Sequence, residues 1–123
     1  MSVQLGEYVI EHHPQGAAPT SGTDWLALVR APEGLTVVRP ARPEDPADGR
    51  WVAFYSDEGA HGLDVPGMLA ALVSPLARAA VPVFVASTYH ADLVFVPAAR
   101  REEAAGIMRR SGHLVHDAGD GKG

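Results

Sequence analysis

Cysteine is absent, which removes disulfide cross-links and thiolate chemistry together. Positive charge is scarce: ten Lys and Arg residues stand against fifteen Asp and Glu, a formal net charge of −5. Nucleic-acid binding needs a basic face, so no such partner is expected. No apolar run approaches the ~18 residues of a membrane span. The opening Met-Ser-Val-Gln-Leu-Gly-Glu lacks the basic-then-apolar order of a signal peptide. The expected setting is cytoplasmic, with no membrane partner. Signs of catalysis are missing too. Ser56, Ser74, Ser87 and Ser111 lie outside any Gly-x-Ser-x-Gly turn, and there is no Gly-rich phosphate loop. Ser87, Thr88, His90 and Asp92 combine hydroxyl, imidazole and carboxylate, but one short hairpin cannot arrange them as a relay. His12 and His13 diverge as neighbours, and His113 and His116 fall on opposite faces of an expected strand, so no zinc-ligand spacing arises. No enzymatic activity, cofactor or metal is expected.

What is present is core-forming material. Apolar residues make up 46% and charged residues 20% of 123 positions, enough for one packed domain or two very small modules sharing a core. The stretch that organises the chain is Leu63-Asp64-Val65-Pro66-Gly67-Met68-Leu69. It follows the apolar run Trp51–Tyr55 and precedes Leu69, Leu72, Val73 and Leu76, which recur at helical spacing. Asp64 is a residue that caps a helix, Pro66 suits a first turn, and Gly67 leaves the backbone open to approach. Such an entrance offers free N–H groups and a positive dipole end to a carboxylate. Asp64 serving only as a cap, and Gly67 only as a packing glycine, are the plainer alternatives.

In chain order, Gly6–His12 alternates as a half-buried strand with Tyr8 and Ile10 on one face. Pro14–Thr23 reads as loop. Trp25–Arg30 and Leu35–Arg39 are strands joined through Ala31-Pro32-Glu33-Gly34, a turn ending in a left-handed residue. The Pro-rich, charged segment 43–50 is the expected linker between an N-terminal part, 1–42, and a C-terminal part, 51–117, with a disordered tail at 118–123. The second part reads as strand 51–56, helix 66–80, strands 82–88 and 93–96, helix 98–111 and strand 113–116. That is the α+β, ferredoxin-like βαββαβ order. Pro75 should kink or end the first helix, and Gly112 should cap the second. Strands 51–55, 83–86 and 93–96 are apolar at odd and even positions alike. Both sheet faces must therefore be covered, by the N-terminal part, by a second copy of the chain, or by both.

Asp64-Val-Pro-Gly-Met-Leu is similar to the Asp-x-Pro-Gly motif of ACT domains. Some twenty residues later Pro82-Val-Phe-Val-Ala-Ser-Thr-Tyr-His-Ala-Asp-Leu-Val-Phe-Val-Pro97 resembles the Ser-Thr-Tyr/Phe-x-x-Asp signature of short bacterial ACT proteins and of the CASTOR-type arginine sensors. Arg110-Ser-Gly-His113 resembles the same subfamily's second-helix ending. The likeness is good over 51–116 and weak over 6–40. It implies a degenerate N-terminal ACT-like half packed against a complete ACT domain, with an amino-acid ligand held at a module or subunit interface, usually of a homodimer. It also implies roles: Asp64, Val65, Gly67, Met68 and Leu69 toward the ligand's backbone groups, and Ser87, Thr88, Tyr89 and Asp92 toward its side chain. His90 departs from the pattern, and so does the loop 57–62. Asp92 as a turn residue and Tyr89 as a packing aromatic are the structural alternatives. The expected function is an amino-acid-binding regulatory or sensor protein. The competing expectation is a ligand-free structural or protein-interaction module on the same fold.

Overall fold

The computed structural model describes residues 1–14, 26–56 and 68–117. Four strands come first: β1 Ser2–Val3, β2 Tyr8–Pro14, β3 Ala27–Ala31 and β4 Gly34–Pro40. They are followed by β5 Trp51–Ser56, α1 Met68–Arg78, β6 Phe84–Ser87, β7 Asp92–Pro97, a 3₁₀ turn at Ala98–Arg100, α2 Arg101–Arg110 and β8 His116–Asp117. The β3–β4 hairpin pairs Ala31 with Gly34 across Pro32-Glu33, and Gly34 takes a φ of 141° that glycine tolerates.

All eight strands belong to one sheet. β7 pairs antiparallel along the whole of β5, from Trp51↔Pro97 to Ser56↔Asp92, and β6 continues that edge. The other edge of β5 is shared. β1 takes one end (Ser2↔Tyr55, Val3↔Phe54) and β2 touches the other through Tyr8↔Trp51 before turning away to pair with β4. A φ of 82° at Gly6 lies between β1 and β2. β8 runs parallel to β1, with Ser2↔His116. A plain βαββαβ unit would set its last strand directly beside its first. Here the N-terminal strand stands between β5 and β8. The expected degenerate N-terminal half packed against a complete ferredoxin-like unit is not confirmed by this pairing. The first residues are built into the sheet of the second part, because β5 has an edge left open by β7 and backbone groups there need partners.

The doubly apolar strands are explained by two clusters. Val52 and Phe54 of β5 and Val94 and Val96 of β7 meet Met1, Val3, Leu72, Leu76, Ala104, Ile107 and Met108 on the helix-bearing face. The opposite parity, Ala53 and Phe95, is buried with Val38 and packed by Tyr8, Ile10, Ala27, Trp51, Phe84 and Leu93. Phe95 stands edge-on to Tyr8 at 5.8 Å and to Phe84 at 5.9 Å. Residues of β2, β3 and β4 reach those of β6 and β7 only because the sheet coils strongly on itself. The N-terminal strands therefore cover the second face.

Helix α1 does not end at its proline, one of the two outcomes expected there. It runs unbroken from Met68 to Arg78 with Pro75 inside. Proline removes the bond to the carbonyl four residues earlier, that of Ala71. The His113 ring supplies a substitute, its Nε2 lying 3.2 Å from the Ala71 oxygen. A side chain from beyond α2 thus repairs the helix. The strand expected at 113–116 shrinks to His116–Asp117, and α2 opens through a 3₁₀ turn.

Candidate functional site

Ser56, Asp92 and Ser87 lie in one row across β5, β7 and β6, through Ser56↔Asp92 and Ser87↔Asp92. Their parity matches Phe54 and Val94, so the row shares the helix-bearing face. It lies at the C-terminal end of β5. Ser56 and Asp92 are buried, at 4% and 8% exposure. The Ser87 hydroxyl donates to Asp92 Oδ1 at 2.7 Å, a short bond of the charge-assisted kind. A carboxylate has room for about four acceptor bonds, and among the described residues only this one reaches Asp92.

Thr88 has a different task. Its Oγ1 donates to the Ala91 carbonyl at 3.1 Å and accepts from the Ala91 and His90 amides at 2.9 and 3.3 Å, closing the β6–β7 turn. Tyr89 is 69% exposed at the tip and leans only on His90, ring centroids 4.8 Å apart. The packing role foreseen for Tyr89 is not made within the described residues. Asp92 is not the turn residue of the plainer alternative; the turn is 88–91, and Asp92 opens β7. Asp64, Val65 and Gly67 lie outside the described residues. Met68 opens α1, and Leu69 behind it is half-buried. Ser56 is the member that sequence reasoning passed over, considered only as a nucleophile. Its signal was faint: a hydroxyl closing an apolar strand whose parity points to the core.

The densest charge cluster lies elsewhere. Arg39 of β4 is buried at 5% exposure. Its Nε and Nη2 donate to Glu11 Oε2 at 3.0 and 2.8 Å, and its Nη1 and Nη2 to Asp45 at 2.8 and 3.0 Å. Nη1 also reaches the Pro40 carbonyl at 3.0 Å. Every guanidinium proton is engaged, leaving no donor for a ligand. The guanidinium holds Asp45 far below the usual carboxylate range, aided by the Arg42 amide, and it lowers Glu11 against the opposing effect of burial. Arg50 adds bonds to the carbonyls of Pro46, Arg42 and Asp45 and pairs with Glu7. The segment expected as a linker is thus clasped from both ends. Among the described residues no three His, Cys, Asp or Glu side chains gather as a metal site.

A family model for the ACT domain matches residues 47–110, a little over half of the chain and the part that contains the serine–aspartate row. The chain belongs to the ACT domain family. Modules of this family are generally small-ligand regulatory units. Two solved structures share the fold. The Agobacterium tumefaciens protein Atu0741 is 23% identical, with a TM-score of 0.78 over 94% of this chain and 90% of its own. The Vibrio cholerae protein VC0802, described as of unknown function and a possible transport protein, is 21% identical, with a TM-score of 0.69 over 87% and 84%. Both likenesses run through the N-terminal strands as well as the ACT segment. No curated protein matches significantly. No helix among the described residues is long and apolar enough to cross a membrane.

Proposed function

We propose that this ACT protein is a sensor that binds an amino acid, with Asp92 receiving the ligand's cationic group and the first turn of α1 its carboxylate. The observation that carries the reading is Asp92 itself: a buried carboxylate with one hydroxyl partner, beside the C-terminal end of β5. A carboxylate with acceptor capacity to spare can take a guanidinium or ammonium as a charge-assisted partner. The first-turn amides of a helix lack intrahelical acceptors, which would suit a carboxylate. Asp64, Val65 and Gly67 are proposed to shape that entrance, and Ser87 to orient Asp92. We take the N-terminal strands as the reduced companion module of the short bacterial proteins related to the CASTOR-type arginine sensors, working as a homodimer. Output would pass through a change of oligomer or a protein partner.

The Ser87–Asp92 bond favours a second reading, in which the row merely seals the sheet end of a ligand-free interaction module. Calorimetric titration against the twenty amino acids separates the two. Binding of a cationic amino acid is expected, and Asp92→Asn should weaken it by about 1.5–3 kcal/mol. Silence from all twenty at millimolar concentration, with Asp92→Asn altering stability alone, would leave the interaction module standing.

A further inference from the structure

On the outer side of the helix layer, α1 and the end of α2 bound an open cleft of about 760 Å3 lined by Ala70, Ala71, Ser74, Pro75, Arg78, Arg110, Ser111 and His113. None of these residues belongs to the serine–aspartate row. We propose that this cleft binds the phosphate group of a small phosphorylated molecule, at a second site separate from the amino-acid site.

The lining is the first argument. It contains two guanidinium groups and two hydroxyls and no carboxylate, in a chain whose formal net charge is −5. Four of the other arginines are engaged elsewhere. Arg39, Arg50 and Arg100 are each paired to a glutamate, and Arg109 bonds the Val115 carbonyl. Arg78 and Arg110 make no hydrogen bond or ion pair among the described residues, nor do the hydroxyls of Ser74 and Ser111. Both arginines stand in last helical turns, where the dipole alone favours a cation. The dipole does not explain why both line one hollow. Backbone bonds from Ala80, Val81, Gly112 and His113 close off the carbonyls of Ala77, Leu76, Arg109 and Met108 at the two helix ends.

Room is the second argument. Ala70, Ala71 and Ser74 present small side chains along the exposed stripe of α1, and Gly106 is the matching small residue of α2. A Cβ added at Gly106 would stand 3.2 Å from Arg110 Nη1 and would ask the guanidinium to shift by a few tenths of an ångström. The His113–Ala71 bond fixes the spacing of the walls. Paired guanidiniums match a phosphate dianion through bidentate donation, and hydroxyls complete the shell.

The probe is inorganic pyrophosphate, titrated into the full chain at fixed ionic strength while amide NMR shifts are followed. Saturable shifts confined to residues 70–78 and 110–113 are expected, with half-saturation near or below about 1 mM. Arg78→Gln with Arg110→Gln should abolish them, while the exposed Arg30→Gln leaves them unchanged. Ser74→Asp, which sets a carboxylate into the cleft without touching either arginine, should weaken binding at least tenfold. Shifts spread over the surface, or equally reduced by Arg30→Gln, would mean general charge attraction and overturn the proposal. So would unsaturated shifts at about 10 mM. The amino-acid titration of Asp92→Asn is independent of every outcome here.

Discussion

Ala80 has a φ of 59°, the only positive value at a non-glycine among the described residues, and it sits where α1 stops. The Val81 amide bonds the Leu76 carbonyl at 2.9 Å and the Ala80 amide bonds the Ala77 carbonyl at 3.0 Å, the paired bonds of a Schellman cap. Helix α2 ends identically: His113 bonds Met108 at 3.0 Å, Gly112 bonds Arg109 at 3.0 Å, and Gly112 holds the left-handed position at φ 99°. The same motif is thus built once with the residue suited to it and once with a Cβ that crowds the carbonyl. The burial of Val81 and Leu76 holds the first cap together despite that strain. Ala80→Gly should therefore raise stability by about 0.5–1 kcal/mol, less the extra freedom glycine gives the unfolded chain. Gly112→Ala should lower it by about 1 kcal/mol through the backbone alone, since an added Cβ there meets nothing within 4 Å. Urea denaturation of the two variants checks the pair, and equal signs would refute the argument.

At the scale of the element, α1 survives its internal proline because the carbonyl that Pro75 orphans, Ala71, is bonded by the His113 ring. The bond links the two changes thermodynamically. His113→Ala should cost about 0.5–1.5 kcal/mol in the natural chain. In a Pro75→Ala background position 75 regains an amide for Ala71, and the same change should cost less. A double-mutant cycle in thermal unfolding reads the coupling, and additive effects would show that the ring bond contributes nothing. The case also marks what a sequence discloses. Period-3.6 spacing places Leu72 and Leu76 inward, Gly112 is a recognisable cap, and the Pro-Glu-Gly hairpin obeys local turn chemistry. Each depends on neighbours in sequence. The His113 repair spans 42 positions, and the insertion of β1 between β5 and β8 pairs residue 2 with residue 116; neither leaves a local pattern. The candidate site divides in the same way. Ser87 and Asp92 were legible as a motif, whereas Ser56 joins them only through strand register.

For the whole molecule, the second core face depends on β2 and β4 staying over β5 and β7, and the Arg39 clasp ties these strands to the chain that enters β5. Glu11 on β2, Arg39 on β4 and Asp45 before β5 form one ion-pair network. Both carboxyls are lowered from their ordinary values by the guanidinium beside them. A carboxyl whose folded-state pKa is depressed binds fewer protons folded than unfolded. Its stabilising contribution is complete above the unfolded values of 4.5 for Glu11 and 3.8 for Asp45. It is lost as pH falls from there toward the folded values. Stability should be flat in this respect between pH 5 and 7 and fall steadily below about pH 4.5. Arg39→Met keeps most of the side-chain volume and removes the cation. It should cost about 2 kcal/mol at neutral pH, because Glu11 loses its charged donor beside a buried stem. It should also flatten the acid limb, since neither carboxyl then prefers the folded chain. Chemical denaturation of both proteins from pH 7 to 3 measures the two slopes. Parallel acid limbs would place the acid sensitivity outside the clasp, and with it the joint between the N-terminal strands and the ACT sheet.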